Sequence, residues 1–283
     1  MGSYLLKGRV IDGAADAPLE NGAVLIRDEK IAFAGPAGEC PAADGAEIIE
    51  VPDGTILPGF IDCHAHFIGE GPGKADPYTT HHFELLLNSA HEIGILLDAG
   101  FTSVREMGLF GPYLKKAVAR GVVRGPRIMP GGRILSVTSG HGDMDTRFPV
   151  DYAQKQSPFT HLVDGVDECI RGARLQFREG AEFIKICATG GVSSQVDALD
   201  DTQFSFEEIC AIVEEAQRHG TYVAAHCTGT AGTLQALQAG VKSVEHGIFL
   251  DERCIEMMLK NDATLVTTLS VSLGIPKMKG RLP

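Results

Sequence analysis

Gly54-Thr55-Ile56-Leu57-Pro58-Gly59-Phe60-Ile61-Asp62-Cys63-His64-Ala65-His66 is the stretch whose reading decides the fold. Its apolar run, Ile56 to Asp62, predicts a buried strand, and the glycines and proline after His66 predict a loop. Alternate residues of a strand point to one side, so His64 and His66 can present both imidazoles to one metal ion. The C-terminal ends of parallel barrel strands are where such folds keep their chemistry. Ten histidines are scattered along the chain, so a chance pair is the competing reading, and other residues must decide.

Outward from that strand the chain alternates. Further strand candidates are Thr102–Arg105, Arg127–Pro130, Phe183–Cys187, Tyr222–His226, Ser243–Glu245 and Thr264–Leu269. Amphipathic helical stretches lie between them at Glu84–Ala99, Pro112–Arg120, Val166–Glu179, Phe206–His219, Gly232–Ala239 and Asp251–Lys260. Gly100, Gly121, Gly180 and Gly220 stand where helices end, and Ser205 with Glu208 three residues on reads as a capped start. This alternation predicts a TIM-like (β/α)8 barrel over residues 56–283, incomplete at about seven strands. Residues 1–55 read differently. Short alternating runs at Tyr4 to Ile11, Ala23 to Ile26, Ile31 to Ala34 and Ile48 to Val51, divided by turn-rich stretches, predict a small β-sandwich-like unit. The long stretch from Gly131 to Asp164 is expected to form a loop or lid over the barrel top.

The composition suits one large α/β domain with a small accessory unit, at 283 residues with 44% hydrophobic. A formal net charge of −12 argues against nucleic acid or an anionic membrane as partner. No run approaches the roughly 20 apolar residues of a membrane span. Seven cysteines, an odd number without disulfide spacing, predict a reduced, cytoplasmic setting. A homo-oligomer stays open.

Further residues recur at strand ends. Lys185 sits in the apolar run Phe183-Ile184-Lys185-Ile186-Cys187, where an unpaired ammonium is costly. It is expected to snorkel out, to pair with Glu182 or Glu208, or to be modified by carbon dioxide to a carbamate beside a two-metal site. His226 ends one strand and His246 follows another, and neutral imidazole is the commonest metal ligand. Arg105 ends strand two and is expected to pair with Glu106 or another barrel carboxylate, or to meet a substrate carboxylate. Taken together, His64, His66, Lys185, His226 and His246 all face one barrel mouth.

At this point a resemblance appears. Gly54 through His66 resembles the strand-one signature of the amidohydrolase superfamily, and Lys185, His226 and His246 stand in that superfamily's order. Within it the chain is similar to the imidazolonepropionase-like amidohydrolases, which include Xaa-Pro dipeptidases (prolidases) and carboxypeptidase-like enzymes. That similarity rests on Gly180 through Lys185, Thr189-Gly190-Gly191-Val192-Ser193, Ala225-His226-Cys227 and Ser139-Gly140-His141-Gly142-Asp143. It implies two divalent cations, zinc first with manganese, cobalt or iron on the same donors. His64 and His66 would hold one ion and His226 and His246 the other, with Lys185 bridging as a carbamate. His141 would touch the substrate carbonyl or carboxylate. Backbone N–H groups of Gly190 and Gly191, or Ser193, would lie near the substrate. The implied activity is hydrolysis of an amide bond in a dipeptide or N-acyl amino acid, with a cyclic-amide hydrolase or deaminase as the alternative.

The resemblance also implies an aspartate at the end of strand eight, which binds metal and moves a proton. This chain reaches Leu282-Pro283 before such a strand, and Asp251 and Asp262 stand elsewhere. The expectation is a fragment, a truncated product or a partner-completed protein, with severely impaired turnover for the isolated chain. A metal-binding, non-catalytic protein is the reading from another class. Cys227-Thr228-Gly229 stands where some relatives carry a tyrosine.

Overall fold

Two positive-φ residues, Asp28 (φ 49) and Glu29 (φ 63), make the tight turn that opens the first sheet. Two left-handed residues match the right-handed twist of the strands they join. In this computed structural model, which describes residues 2–69, 79–108, 110–143, 149–151, 157, 159–194 and 196–274, the turn joins β2 (Leu19–Arg27) to β3 (Lys30–Pro36). β1 (Tyr4–Val10) pairs antiparallel with β2 and parallel with β4 (Glu47–Ile56), giving the order β3-β2-β1-β4. Leu5, Ala23 and Leu25 form its core, with Phe33 packed against them. The four strands of the unit form one sheet among the described residues. Compact units divide at Met1–Phe60 and Ile61–Pro283, not at 55/56, because β4 belongs to the small sheet as far as Ile56.

The second unit alternates strand and helix. Its elements are β5 (Phe60–Ala65), α1 (His82–Asp98), β6 (Phe101–Glu106), α2 (Gly111–Ala119), β7 (Arg127–Pro130), β8 (Ile134–Ser136) and β9 (Thr160–Leu162). There follow α3 (Val166–Glu179), β10 (Ile184–Cys187), α4 (Phe206–Arg218), β11 (Val223–Cys227), α5 (Thr230–Gln238), β12 (Ser243–His246), α6 (Glu252–Asn261), β13 (Thr264–Val266) and α7 (Leu269–Gly274). The strands lie in the orders β5-β6-β7 and β13-β12-β11-β10-β8-β9. β7 and β8 are two halves of one wall strand, broken at Gly131 and Gly132. The first half pairs with β6 and the second with β10, and backbone bonds from Gly131 to Glu106 and from Glu182 to Pro130 join the two sheets. The wall positions are therefore β5, β6, β7–β8, β10, β11, β12 and β13, in parallel barrel order.

Every residue of β10 and β11 is buried, as strands covered on both faces must be. Ile184, Ile186, Val223, Ala225 and Val244 pack there against Ile209, Ile212 and Val213 of α4. Ser205 and Glu208 form a reciprocal capping box at the start of α4, worth about 1 kcal/mol.

Three expectations need correction. β5 begins four residues later than the predicted Ile56, since Leu57-Pro58-Gly59 interrupts the run, and its first residues are exposed: Phe60 is 50% and Ile61 67% accessible. The stretch from Gly131 to Asp164 is not all loop. It carries β8 and β9, three-residue strands too short for periodicity to reveal. Residues 144–148, 152–156 and 158 of that expected lid lie outside the described residues. β13 stops at Val266, and Leu269 begins a helix. No helix among the described residues is long and apolar enough to cross a membrane.

Candidate metal centre

Parallel register brings the strand-end residues level. His226 on β11 pairs with Cys187 on β10 and with Glu245 on β12, while Cys227 pairs with His246. Lys185 lies opposite Ala224, two residues back along β10, and is 2% exposed. Across the mouth, β5 contributes His64, and His66 follows its end.

The imidazoles form a continuous row. Ring centres lie 5.2 Å apart for His64 and His66, 4.8 Å for His64 and His246, and 4.7 Å for His226 and His246. His141 stacks on the far side of the row, 4.3 Å from His226. With metal–nitrogen bonds of about 2.1 Å, two imidazoles sharing an ion stand roughly 5 Å apart centre to centre.

Each ring has one nitrogen held, which sets its tautomer. His64 Nδ1 meets Glu245 Oε2 at 2.7 Å, and His246 Nδ1 meets Thr268 Oγ1 at 2.7 Å. His226 Nε2 meets the Gly190 carbonyl at 3.1 Å, and His66 has a backbone hydrogen bond to Gly108. His64 and His246 thus keep Nε2 for other use, and His226 keeps Nδ1.

Electrostatics favours the neutral ring. Burial, then Lys185 and Arg105, pushes His64 down to about 2. Burial, then Lys185 and His64, pushes His246 down to about 3. Burial and neighbouring charges hold His226 well below the ordinary imidazole value. His66 is open to solvent along a groove beside Phe67, Ile95 and Leu96, yet the protein crowding its other sides, then His64 and Lys185, lowers it too. Neutral imidazole is the form that binds metal. Cys187 and Cys227 do not compete, because burial pushes both thiols up to about 12 and only a thiolate is a good ligand.

Lys185 influences all four rings. It neither snorkels nor pairs with the carboxylates expected from the sequence: Glu182 pairs with Lys115, and Glu208 accepts from Gly165 and Ser205. Among the described residues its Nζ makes no hydrogen bond. Burial lowers its basicity, with Glu245 opposing.

Sequence reasoning missed the residue that organises this side. Glu245, fully buried, accepts from Arg105 Nη2 at 2.6 Å and from Ser243 Oγ at 2.6 Å while holding His64. Arg105 also donates to the Cys63 carbonyl at 2.8 Å and to Ser243 Oγ at 2.9 Å. Its partner is thus a barrel carboxylate, but not Glu106. The adjacent Glu245-His246 pair was the available signal.

The glycine loop behaves differently from expectation. The Gly190 N–H is occupied by the Asp201 carbonyl at 3.1 Å, so it is not available to a substrate; its carbonyl is the useful group, orienting His226. Gly191 lies against His141: a Cβ there would come within 2.3 Å of Cε1. Ser193 is half-buried. Thr228 is committed to the Leu199 carbonyl at 2.6 Å and to Gly190. His246 (φ 70), Thr268 (φ 47) and Ser139 (φ 63) all adopt left-handed backbone around the site, a conformation that costs non-glycine residues of order 1–3 kcal/mol each.

A model of the amidohydrolase family matches residues 55–277. The chain belongs to the amidohydrolase family. It is 35% identical to an ochratoxinase from Aspergillus niger over 95% of its length, and spans 59% of that relative. It is 27% identical to an imidazolonepropionase from Deinococcus deserti, covering 93% of this chain and 67% of that one. A solved prolidase structure, complexed with N-methylphosphonate-L-proline, superposes with a TM-score of 0.90 at 34% identity, covering 99% of this chain and 70% of that one. The fold is thus the TIM-barrel type of the amidohydrolases. Family members generally use divalent metal ions. The donors present here fit such ions: four neutral rings, each oriented through its second nitrogen. No three His, Cys, Asp or Glu side chains close into a metal-holding group among the described residues.

Proposed function

We propose that this chain carries the metal-binding wall of a hydrolase that cleaves an amide C–N bond, in a dipeptide or an N-acyl amino acid. The observation that carries the reading is the row of oriented, neutral imidazoles gathered around a buried lysine that has no hydrogen-bond partner among the described residues. Amidohydrolase membership and likeness to an ochratoxinase and a prolidase support it.

In this reading His64 and His66 hold one divalent ion and His226 and His246 the other, with zinc first among the candidates. Bound there, the ions supply Lewis acidity and a water that ionises near neutral pH. In this reading two imidazoles leave each ion short of a third protein ligand, and Lys185 serves both. Burial favours its free amine, whose lone pair adds to the carbon of carbon dioxide with loss of one proton, giving a carbamate with two donor oxygens. Glu245 holds His64 in register and neutralises Arg105, so the arginine field does not displace a cation from the mouth. His141, on the far side of His226, meets a substrate carbonyl or carboxylate. The seven free cysteines support a reducing, cytoplasmic setting.

Metal analysis of the purified chain with a hydrolysis panel of Xaa-Pro dipeptides, N-acyl amino acids and cyclic amides tests this. Two ions per chain with slow cleavage of linear amides, far below that of a full-length relative, is the expected result. Cleavage of cyclic amides alone moves the substrate class. Two ions without turnover favours a non-catalytic metal-binding protein, and no bound metal overturns the reading.

A further inference from the structure

Around His141 the structure has built a cradle that the metal-binding row does not need. Its backbone N–H donates to Gln203 Oε1 at 2.9 Å, and the same Gln203 side chain donates from Nε2 to Asp197 Oδ2 at 2.7 Å. That oxygen lies 3.7 Å from His141 Nδ1. Gln203 therefore ties the backbone of one loop to the carboxylate of another. The Asp197 side chain is only 2% exposed.

The cradle contains two orphans. His141 Nδ1 and Asp197 Oδ1 are both buried, and neither has a hydrogen-bond partner among the described residues. A buried carboxylate oxygen and a buried ring nitrogen without partners are each costly to the fold. Side chains buried at such cost within 4 Å of one another are explained if they act as a pair. Catalytic hydrogen bonds are often long before the reactants bind. The ring is also fixed sterically, by the stack on His226 and by Gly191, where a Cβ would fall 2.6 Å from Nε2 and 2.7 Å from Nδ1.

We propose that Asp197 is a positioning residue that acts through His141: with Gln203 it keeps the imidazole proton on Nδ1, fixes the ring plane, and leaves Nε2 as the nitrogen that meets the substrate. This rests on the reading of His141 as a substrate contact, but the tautomer it assigns can be read without any substrate. The logic is that of a carboxylate orienting a histidine, assembled here from two loops.

The test uses the full chain labelled with ¹⁵N at histidine, with the His141 resonances assigned by difference from His141→Gln. In the parent the ring carries its proton on Nδ1. Asp197→Ala shifts the two nitrogen resonances of His141 toward exchange between tautomers and leaves the other histidines in place. Asp197→Asn, which keeps an acceptor oxygen facing Gln203 Nε2, restores the parent pattern. An unchanged His141 spectrum in a folded Asp197→Ala chain overturns the proposal, whatever its activity. If Asp197→Ala does not fold, Gln203→Ala is read in the same way. On a cleaved dipeptide, Asp197→Ala lowers kcat about tenfold with little change in KM, and costs nothing further in the His141→Gln background. Additive losses in the double variant overturn the coupling even if both single variants are impaired. Failure of amide hydrolysis with an intact Nδ1 tautomer sinks the substrate reading and leaves the positioning role standing.

Discussion

On opposite sides of β6 stand two buried glutamates in opposite circumstances, Glu245 of β12 and Glu106 of β6 itself. On one face Arg105 reaches Glu245, which is surrounded by an arginine, a serine and His64. On the other face Glu106, also fully buried, lies under the start of α2 with neither oxygen in hydrogen-bonding geometry to a described residue. The amides of Gly108 and Gly111 favour its charged form, but burial outweighs them and pushes its pKa up to about 8. Adjacent residues of one strand, pointing to opposite sides, thus separate a carboxyl that organises a site from one that keeps its proton. Burial is equal on the two faces. The partner decides what a buried acid does.

The largest expected effect comes from breaking the partnered face. Glu245→Ala leaves Arg105 without its counter-charge and His64 without its anchor, and is expected to cost about 3–5 kcal/mol of stability in denaturant titration. Metal analysis should show the loss fall on the His64–His66 side first. A variant within 1 kcal/mol of the parent would mean that the network around Arg105 is not structural.

The second prediction sharpens the contrast through pH. Below 4.5, folded and unfolded chains both protonate position 106. Between 4.5 and about 8 the unfolded chain releases a proton that the folded chain keeps, so stability falls as pH rises through that window. Each pH unit of it is worth up to about 1.4 kcal/mol. Glu106→Gln removes this slope, so its advantage over the parent should grow by a few kcal/mol between pH 5 and pH 8. Parallel stability curves for the two proteins would show that the acid ionises in the fold.

The smallest effect belongs to the weakest holder. His246 is steadied by a hydroxyl where His64 has a carboxylate, so Thr268→Val should cost about 1 kcal/mol and lower metal affinity roughly tenfold. A loss as large as that of Glu245→Ala would erase the distinction between the two holders.

The five strand-end residues were legible because a parallel barrel makes position along a strand equivalent to position in the mouth. His64, Lys185 and His226 each announce themselves by the apolar run before them, and His246 by its place after the next strand. What orients them was not legible. Glu245 lies 181 residues from His64 in the chain, and its only local mark is its place beside His246. Thr268 was read as part of a strand, yet its left-handed backbone ends that strand and turns its hydroxyl to His246. β8 and β9 escaped because three residues carry no period, and Gly190 was read for its N–H when the fold uses its carbonyl.

The parallel pairing of β8 with β9 has a consequence for how this protein diversifies. Ile134 with Thr160, Leu135 with His161 and Ser136 with Leu162 pin both ends of the intervening segment to the wall. Lengthening a segment whose ends are already fixed is cheap, about 0.6 kcal/mol for each doubling of its length. Selection can therefore change the length of the loop that carries His141 without disturbing the wall strands on either side of it.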